Sequence, residues 1–363
     1  EFLAGLDRGV TRSALNAELA EAAQAGNVPR VLQALDRGAL LDVTNEYGET
    51  PTFLAAMAGA TEVIKLLAER RADLTLSDNA GISPYRAAML HGLSATAAAL
   101  RAAAETQEIA SMSAKGYETA PVPVAPRLEC AQVTRVIPVG VDHAGAGTTV
   151  VDHAFDNAFL ERLDELWKRL PLAPKQKASP TDRAYYHDVE GWLTGTMNEA
   201  VRAAQLTDAA VTMPHMRFLI YPEPGGSLPA HVDLSRTDQN LRSTYTFLLY
   251  LSDCKTGGET TFLECLEGDE NLAPSGGVAP GERAEVAAVS PMRGRLLLMP
   301  HACPHLAAPV VEVPKVLVRG EVLPPGANVA RAAPEPATAQ SLQQVYEGVR
   351  SCWALRGDKM QGE

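Results

Sequence analysis

The sequence predicts a multidomain protein in which an all-α stack of helical repeats is followed by a jelly-roll barrel with flanking helices. Three observations support this fold class. Glycines recur at a 33-residue offset in the first hundred positions, a Pro-rich stretch follows, and short β-branched runs separated by Gly and Pro dominate beyond about residue 130. We expect four regions: helical repeats at 1–105, a Pro/Ser/Ala-rich linker at 106–128, the barrel domain at 129–323, and an extension with a helix at 324–363.

Composition narrows the function classes. The chain has 363 residues, of which 46% are apolar and 21% charged, which is typical of folded globular proteins. Its net charge of −12 makes binding to a phosphate backbone by bulk electrostatics unlikely. There is no apolar run long enough for a membrane span and no visible signal peptide, so we expect a cytoplasmic protein with no membrane partner. The five cysteines form no Cys-X-X-Cys pair, which argues against a zinc knuckle.

The helical region repeats both its turns and its helix starts. Thr50 and Ser83 each precede a proline, which is the pattern of an N-cap followed by proline at the first helical position. The glycines between the expected helices and in the expected turns keep the same spacing, at Gly26, Gly59 and Gly92 and at Gly48 and Gly81. We therefore expect three helix–turn–helix units, at about 13–45, 46–78 and 79–105.

These units resemble ankyrin repeats, whose Gly-X-Thr-Pro turn and inter-helix glycine fall at the same positions. The first unit lacks the Thr-Pro and fits a terminal cap. At 52–53 and 85–86 the usual Leu-His is replaced by Thr-Phe and Tyr-Arg. The resemblance implies a scaffold that binds a protein partner and carries no chemistry of its own.

The barrel region reads as strands with two helices near its start. β-branched content predicts strands at 133–141 and 148–151, and apolar spacing predicts helices at 157–170 and 189–204. Five more strands are expected, at 216–221, 243–251, 284–289, 295–299 and 316–322. Short strands with Gly/Pro turns favour an antiparallel jelly roll. A further helix is expected around 341–355.

A candidate metal site begins at His231 and Asp233. Positions i and i+2 of a strand point to the same face, so both side chains can reach one ion. His305 is the expected third ligand, after the buried strand at 295–299, with His301 as the alternative. Two histidines and one carboxylate leave open positions on Fe(II). Lys315 opens an apolar strand, where a buried ammonium would need an anionic partner.

With these residues the barrel region resembles the 2-oxoglutarate and Fe(II)-dependent dioxygenases, closest to the prolyl 4-hydroxylase branch. The segments that carry the resemblance are 217–221, 229–233, 246–253, 257–262 and 294–298, followed by His305, Val310 and Lys315. The resemblance implies a double-stranded β-helix, with Fe(II) as cofactor, 2-oxoglutarate and O2 as cosubstrates, and ascorbate as reductant. It implies His231, Asp233 and His305 as the iron ligands.

The resemblance also assigns the cosubstrate pocket. It implies that Lys315 pairs with the distal carboxylate of 2-oxoglutarate and that Tyr221 hydrogen-bonds to it. Thr246 and Tyr250, four apart on one strand face, are expected to line the same pocket, and Arg319 is the alternative partner of the carboxylate. Two features depart from the family pattern: Leu306-Ala307 replaces the usual Glu-Gly after the distal histidine, and a Gly/Pro/acidic insertion occupies 267–283.

We therefore expect an oxygenase that hydroxylates a protein or peptide, at prolyl residues by resemblance to procollagen-type prolyl 4-hydroxylases, with the repeats recruiting a protein partner. Two alternatives remain open. One is a catalytically inactive ankyrin adaptor or sensor, and the other is an oxygenase that acts on a small molecule or a nucleobase.

Overall fold

The computed structural model describes residues 11–106, 130–175, 179–204, 211–238, 241–266 and 285–323. These residues fall into two compact units, one helical and one rich in strands, which are divided between residues 120 and 121. Most of the predicted linker, the insertion at 267–283 and the C-terminal extension with its predicted helix lie outside the described residues.

The helical unit contains three successive helix pairs. Its helices are α1 (Arg12–Gln24), α2 (Val28–Asp36), α3 (Pro51–Met57), α4 (Thr61–Glu69), α5 (Pro84–Leu90) and α6 (Ser94–Thr106). The predicted caps form: the Thr50 side chain accepts from the Phe53 N–H at 3.1 Å, and the Ser83 side chain accepts from the Arg86 N–H at 3.2 Å. Each cap satisfies an N–H group that the first helical turn would otherwise leave unpaired.

The repeating glycines lie where the backbone enters the left-handed region. Gly26, Gly59 and Gly92 follow the first helix of each pair with φ near +70°, and Gly48 and Gly81 each precede a capped helix with φ of +80°. At Gly48 the requirement is doubled, because a Cβ there would lie 2.4 Å from the Asn79 side chain. The structure thus shows helix pairs that repeat at the spacing found in the sequence, whereas their assignment as ankyrin repeats stays a prediction.

The described part of the second unit contains two main antiparallel sheets, a separate two-stranded hairpin and two helices. The helices are α7 (Asn157–Arg169) and α8 (Trp192–Ala203). The strands are β1 (Gln132–Arg135), β2 (Thr149–Asp152), β3 (Asp182–His187), β4 (Val211–Thr212), β5 (His215–Tyr221), β6 (Leu228–His231), β7 (Thr237–Asp238), β8 (Leu241–Arg242), β9 (Tyr245–Tyr250), β10 (Thr260–Leu263), β11 (Glu285–Val289), β12 (Leu296–Pro300), β13 (His305–Ala307) and β14 (Lys315–Leu323).

The larger sheet has the strand order β1-β2-β12-β9-β14-β5-β3, with β4 also paired to β14, and the smaller has the order β11-β10-β13-β6. Strands β7 and β8 form a separate hairpin. Apolar side chains from both sheets share one core, in which Leu219, Leu248 and Leu317 from the larger sheet cluster with Phe262 and Val289 from the smaller. Two facing antiparallel sheets with alternating inward side chains are compatible with the predicted jelly-roll oxygenase domain.

Several predicted boundaries were wrong. The first strand ends at Arg135 because the chain bends at 136–137, where two successive N–H groups donate to the Thr148 carbonyl, and α8 begins at Trp192, after a left-handed Gly191. Strands β3, β4, β7, β8, β10 and β13 were not predicted, and β6 was expected only as the strand that carries His231. Their sequences are short or carry polar, aromatic and proline residues, so pairing with neighbours decides their structure more than local propensity does.

Candidate metal centre and cosubstrate pocket

The predicted ligands come together at the smaller sheet. His231 ends β6, Asp233 follows it by two residues, and His305 opens β13, where it pairs in register with His231. Ligand atoms of the three side chains all lie within 4.8 Å of one another, and His231 Nε2 is 3.9 Å from Asp233 Oδ1. The geometry differs from the expected one in two respects: the strand stops at His231, and His305 lies in a different sheet from the 295–299 strand that precedes it.

Each ligand histidine is held by its other ring nitrogen. Nδ1 of His231 lies 2.8 Å from the Pro229 carbonyl oxygen, and Nδ1 of His305 lies 2.9 Å from the Cys303 carbonyl oxygen. A carbonyl oxygen only accepts, so both Nδ1 atoms carry a hydrogen, and in the neutral form of each ring Nε2 is the nitrogen with the lone pair. Burial lowers the pKa of His305. Neutral imidazoles with Nε2 available are the form that metals bind.

The two carboxylate oxygens of Asp233 have separate partners. Oδ2 accepts a 2.6 Å hydrogen bond from the Thr246 hydroxyl, and Oδ1 accepts from Arg319 at 2.6 Å. The Asp233 N–H donates to the His301 carbonyl at 2.9 Å, which fixes the loop after β6. An ionised carboxylate has about four lone-pair sites, so these bonds leave room for an ion. Two histidines and one carboxylate of this form are the donor set of non-haem Fe(II) sites, and the residues therefore fit the metal.

A cavity reaches from the ligands into the barrel. It is lined by apolar side chains of both sheets and by a small polar set, namely Tyr221, His231, Asp233, Thr260, His305, Lys315 and Arg319. Leu306 and Ala307, which depart from the family pattern, are also in its wall. A largely apolar pocket with a few convergent polar groups is typical of a site for a small molecule.

Lys315 is the buried cation of this cavity, with 1% of its surface exposed. Its ammonium donates to the Gly258 carbonyl at 2.6 Å and lies 4.9 Å from the centre of the Tyr221 ring and 5.9 Å from that of Tyr250. The described residues give it no ion pair. Burial lowers the pKa of Lys315 to about 8, against smaller opposing effects of Cys254 and Glu259. A carboxylate that entered the cavity would supply the missing counter-charge.

The other predicted pocket residues occupy different places. Tyr221 lines the cavity, and burial raises its pKa to about 12. Tyr250 is fully buried outside the lining set, with its hydroxyl 2.7 Å from the Thr260 hydroxyl. Thr246 is also outside that set and contacts Asp233 instead.

Arg319 lines the cavity, but its guanidinium is engaged by two carboxylates. One nitrogen is 2.6 Å from Asp233 Oδ1, and another is 3.3 Å from Glu321 Oε1. Arg217 and Arg236 also approach Glu321, at 3.7 and 3.5 Å. Of the two predicted carboxylate partners, Lys315 is thus the one that the described residues leave without an anion.

Sequence reasoning missed the surroundings of Asp233. His301, weighed as a ligand, has its ring nitrogens 2.8 Å from the Ser243 hydroxyl and 2.9 Å from the Thr246 hydroxyl. Burial lowers the pKa of His301. Ser243 and His301 are 58 positions apart, and no spacing in the sequence signals their contact. The left-handed Gly258, whose carbonyl receives Lys315, was noted only as part of a motif.

Comparison with known proteins agrees with this geometry. Residues 216–320 match the family model described as the 2OG-Fe(II) oxygenase superfamily. The matched segment contains the three predicted ligands, Lys315 and Arg319. Together, the match and the His/Asp triad support a 2-oxoglutarate-dependent dioxygenase, with Fe(II), 2-oxoglutarate and O2 as its implied cofactor and cosubstrates. No curated protein matches the chain.

One further structural finding concerns membranes. None of the helices in the described part of the chain combines the length and the apolar character needed to cross a bilayer.

Proposed function

We propose that this protein hydroxylates a protein or peptide, at prolyl residues, in a reaction that consumes 2-oxoglutarate and O2 at Fe(II), with ascorbate as reductant. The observation that carries the proposal is the position of Lys315, a buried cation that receives no ion pair from the described part of the chain, in the same cavity as three metal-competent side chains. When bound, the iron supplies the oxidising chemistry, with succinate and carbon dioxide as coproducts. The chain's own residues bind, orient and desolvate the reactants.

The two ends of the cavity divide these tasks. At the inner end, the Lys315 ammonium meets the distal carboxylate of 2-oxoglutarate, and Tyr221 faces the same space. At the ligand end, His231, Asp233 and His305 would hold the metal, and three protein ligands would leave coordination positions for the cosubstrates. The apolar wall excludes water, which strengthens the pairing between Lys315 and an incoming carboxylate.

The proposal that the substrate is a polypeptide rests on two features outside the cavity. The 217–221, 229–233 and 246–253 segments resemble prolyl 4-hydroxylases, and a helical repeat unit of a kind that binds proteins accompanies the catalytic unit. The −12 net charge is unfavourable for a nucleic-acid substrate. We propose that the repeats recruit a protein partner.

The proposal is tested by substrate-dependent succinate formation. The Fe(II)-loaded protein is incubated with 2-oxoglutarate, ascorbate and O2, together with proline-containing peptides, the same peptides with Pro→Ala, or free nucleosides. Of the three kinds of substrate, we expect only the proline-containing peptides to give succinate and a +16 mass shift. The His231→Ala variant is expected to give neither product.

Each departure from this result has a distinct meaning. Succinate formation with nucleosides but not with peptides would show that the substrate is a nucleobase and not a polypeptide. A protein that binds both Fe(II) and 2-oxoglutarate but forms no succinate with any substrate, or without one, would favour the inactive sensor.

A further inference from the structure

Three polar side chains form a hydrogen-bonded line that ends on Asp233. Ser243 Oγ lies 2.8 Å from His301 Nε2, His301 Nδ1 lies 2.9 Å from Thr246 Oγ1, and Thr246 Oγ1 lies 2.6 Å from Asp233 Oδ2. All three side chains are at least 95% buried. None of them belongs to the set that lines the cavity, so their contact with the site runs through Asp233.

The direction of every hydrogen in this line can be derived. An ionised carboxylate only accepts, so the single hydroxyl hydrogen of Thr246 points to Asp233. Thr246 must then accept from His301, which places the ring hydrogen on Nδ1. In a neutral imidazole the other nitrogen, Nε2, is an acceptor, and the Ser243 hydroxyl donates to it. The Ser243 oxygen in turn accepts from the Arg236 N–H at 2.8 Å.

The backbone adds a second connection between the same residues. The Asp233 N–H donates to the His301 carbonyl at 2.9 Å, and the His301 N–H donates to the Thr244 carbonyl at 2.9 Å. His301 therefore holds both the main chain and, through Thr246, the side chain of the carboxylate ligand. A carboxylate held in this way has one orientation.

We propose that Ser243, His301 and Thr246 are positioning residues, which hold Oδ2 of Asp233 and present Oδ1 as the single metal-binding oxygen. This inference rests on the proposed function, because it assigns roles toward the same metal. Oδ1 is the oxygen nearer His231 Nε2, at 3.9 Å, and it also receives the Arg319 guanidinium at 2.6 Å, so one of its two lone pairs is left for a metal. Binding through one oxygen keeps the remaining coordination positions available for 2-oxoglutarate and O2.

The test uses Mn(II) as the probe and Thr246→Val as the variant, because valine has nearly the shape of threonine without the hydroxyl. Free Mn(II) is measured by electron paramagnetic resonance in anaerobic titrations. We expect Thr246→Val to bind Mn(II) about 10- to 100-fold more weakly, the range typical for losing a hydrogen-bond partner of a metal ligand. Thr246→Ser keeps the hydroxyl and is expected to bind nearly as tightly as the wild type.

Thr212→Val is the matched control. Thr212 is 98% buried, and its hydroxyl is bonded to Asn198 Oδ1 at 2.7 Å, away from the ligands. The Thr212→Val variant loses a buried hydroxyl, as Thr246→Val does, but we expect the Mn(II) affinity of the protein to be unchanged. Nitrogen-15 NMR of the metal-free wild type provides a readout independent of metal. We expect the His301 ring hydrogen on Nδ1, with Nε2 unprotonated.

The outcomes separate the inference from the function on which it rests. A wild-type protein that binds no Mn(II) would overturn the proposed function. Normal wild-type binding with undiminished affinity in Thr246→Val, or a His301 hydrogen on Nε2 alone, would overturn the positioning role and leave the metal centre standing.

Discussion

Two positions on one face of β14 hold their cations in opposite ways. Lys315 and Arg319 lie four residues apart on β14 and both line the cavity. Arg319 is 7% exposed and has two carboxylates within 3.3 Å, whereas Lys315 is 1% exposed and has a single carbonyl. At Arg319 the protein itself offsets the cost of burying a charge. At Lys315 that cost remains, which indicates that its counter-charge arrives with a ligand.

Replacing Arg319 should destabilise the protein, because it removes the cation whose charge is already paired. Arg319→Met leaves Asp233 and Glu321 buried without this guanidinium, so we expect the free energy of unfolding to fall by about 3–5 kcal/mol. Urea titration followed by the fluorescence of Trp167 and Trp192 in the barrel unit measures this change. The control is Arg295→Met, because Arg295 pairs with Asp152 in the same sheet at a more exposed position. A loss at Arg319 no larger than at Arg295 would contradict the comparison.

Replacing Lys315 should show the reverse pattern. Lys315→Met removes a cation that the free protein leaves unpaired, so we expect unfolding free energy that is unchanged or raised by up to about 2 kcal/mol, with the unpaired Gly258 carbonyl offsetting part of the gain. Binding of 2-oxoglutarate should weaken by about 3–5 kcal/mol, because the distal carboxylate then enters a dry pocket without a partner. Calorimetric titration of the Fe(II)-loaded protein under argon measures the affinity. An unchanged dissociation constant would indicate that Arg319, and not Lys315, pairs with the distal carboxylate.

The unpaired cation should also make cosubstrate binding depend on pH. With a free-state pKa of about 8, Lys315 is mostly charged at pH 7 and mostly neutral at pH 9, so we expect the affinity for 2-oxoglutarate to fall about tenfold between these values. Burial raises the pKa of the neighbouring Cys254 thiol. The same lysine makes the cosubstrate-free protein more stable as pH rises from about 8 toward 10.5, where the unfolded chain holds the proton and the folded chain does not.

Lys315→Arg is the control for this pH dependence. Arginine stays charged throughout the range, so its binding should no longer fall between pH 7 and pH 9. If the fall persists in that variant, another group causes it.

Tyr221 should give the smallest effect at this end. Tyr221 lines the cavity, and Tyr221→Phe keeps the ring beside the Lys315 ammonium but removes the hydroxyl. We expect 2-oxoglutarate binding to weaken by about 1 kcal/mol, the net value of one hydrogen bond. Tyr250→Phe is the matched control, because the Tyr250 hydroxyl is bonded to Thr260. This replacement should change the affinity for 2-oxoglutarate less. Equal losses in the two variants would remove Tyr221 from the cosubstrate contacts.

The sequence predicts some features of this protein well because they are local. The caps at Thr50 and Ser83 and the left-handed Gly59 depend on residues within one helical turn, and all form as expected. Lys315 could be singled out because a lysine that opens an apolar strand conflicts with its surroundings. The ligand set was predicted from residue types and order, and the structure brings the three side chains together.

Other features could not be predicted because they depend on long-range pairing. The register that places His305 beside His231 joins strands more than 70 positions apart, and β13 has only three residues. The engagement of Arg319 by Asp233 follows from the fold, since alternation along β14 predicts only that Arg319 shares a face with Lys315. The same holds for the line from Ser243 through His301 to Thr246.

The central claim is that His231, Asp233 and His305 hold one metal ion, to which 2-oxoglutarate binds with its far end at Lys315. Anaerobic titration with Fe(II) and then 2-oxoglutarate, followed by visible absorption, tests it most directly. The account predicts one Fe(II) per chain and a weak charge-transfer band that appears only with both additions, and that is lost in His231→Ala, Asp233→Ala and His305→Ala. Stoichiometric Fe(II) binding and an undiminished band in all three variants would contradict it.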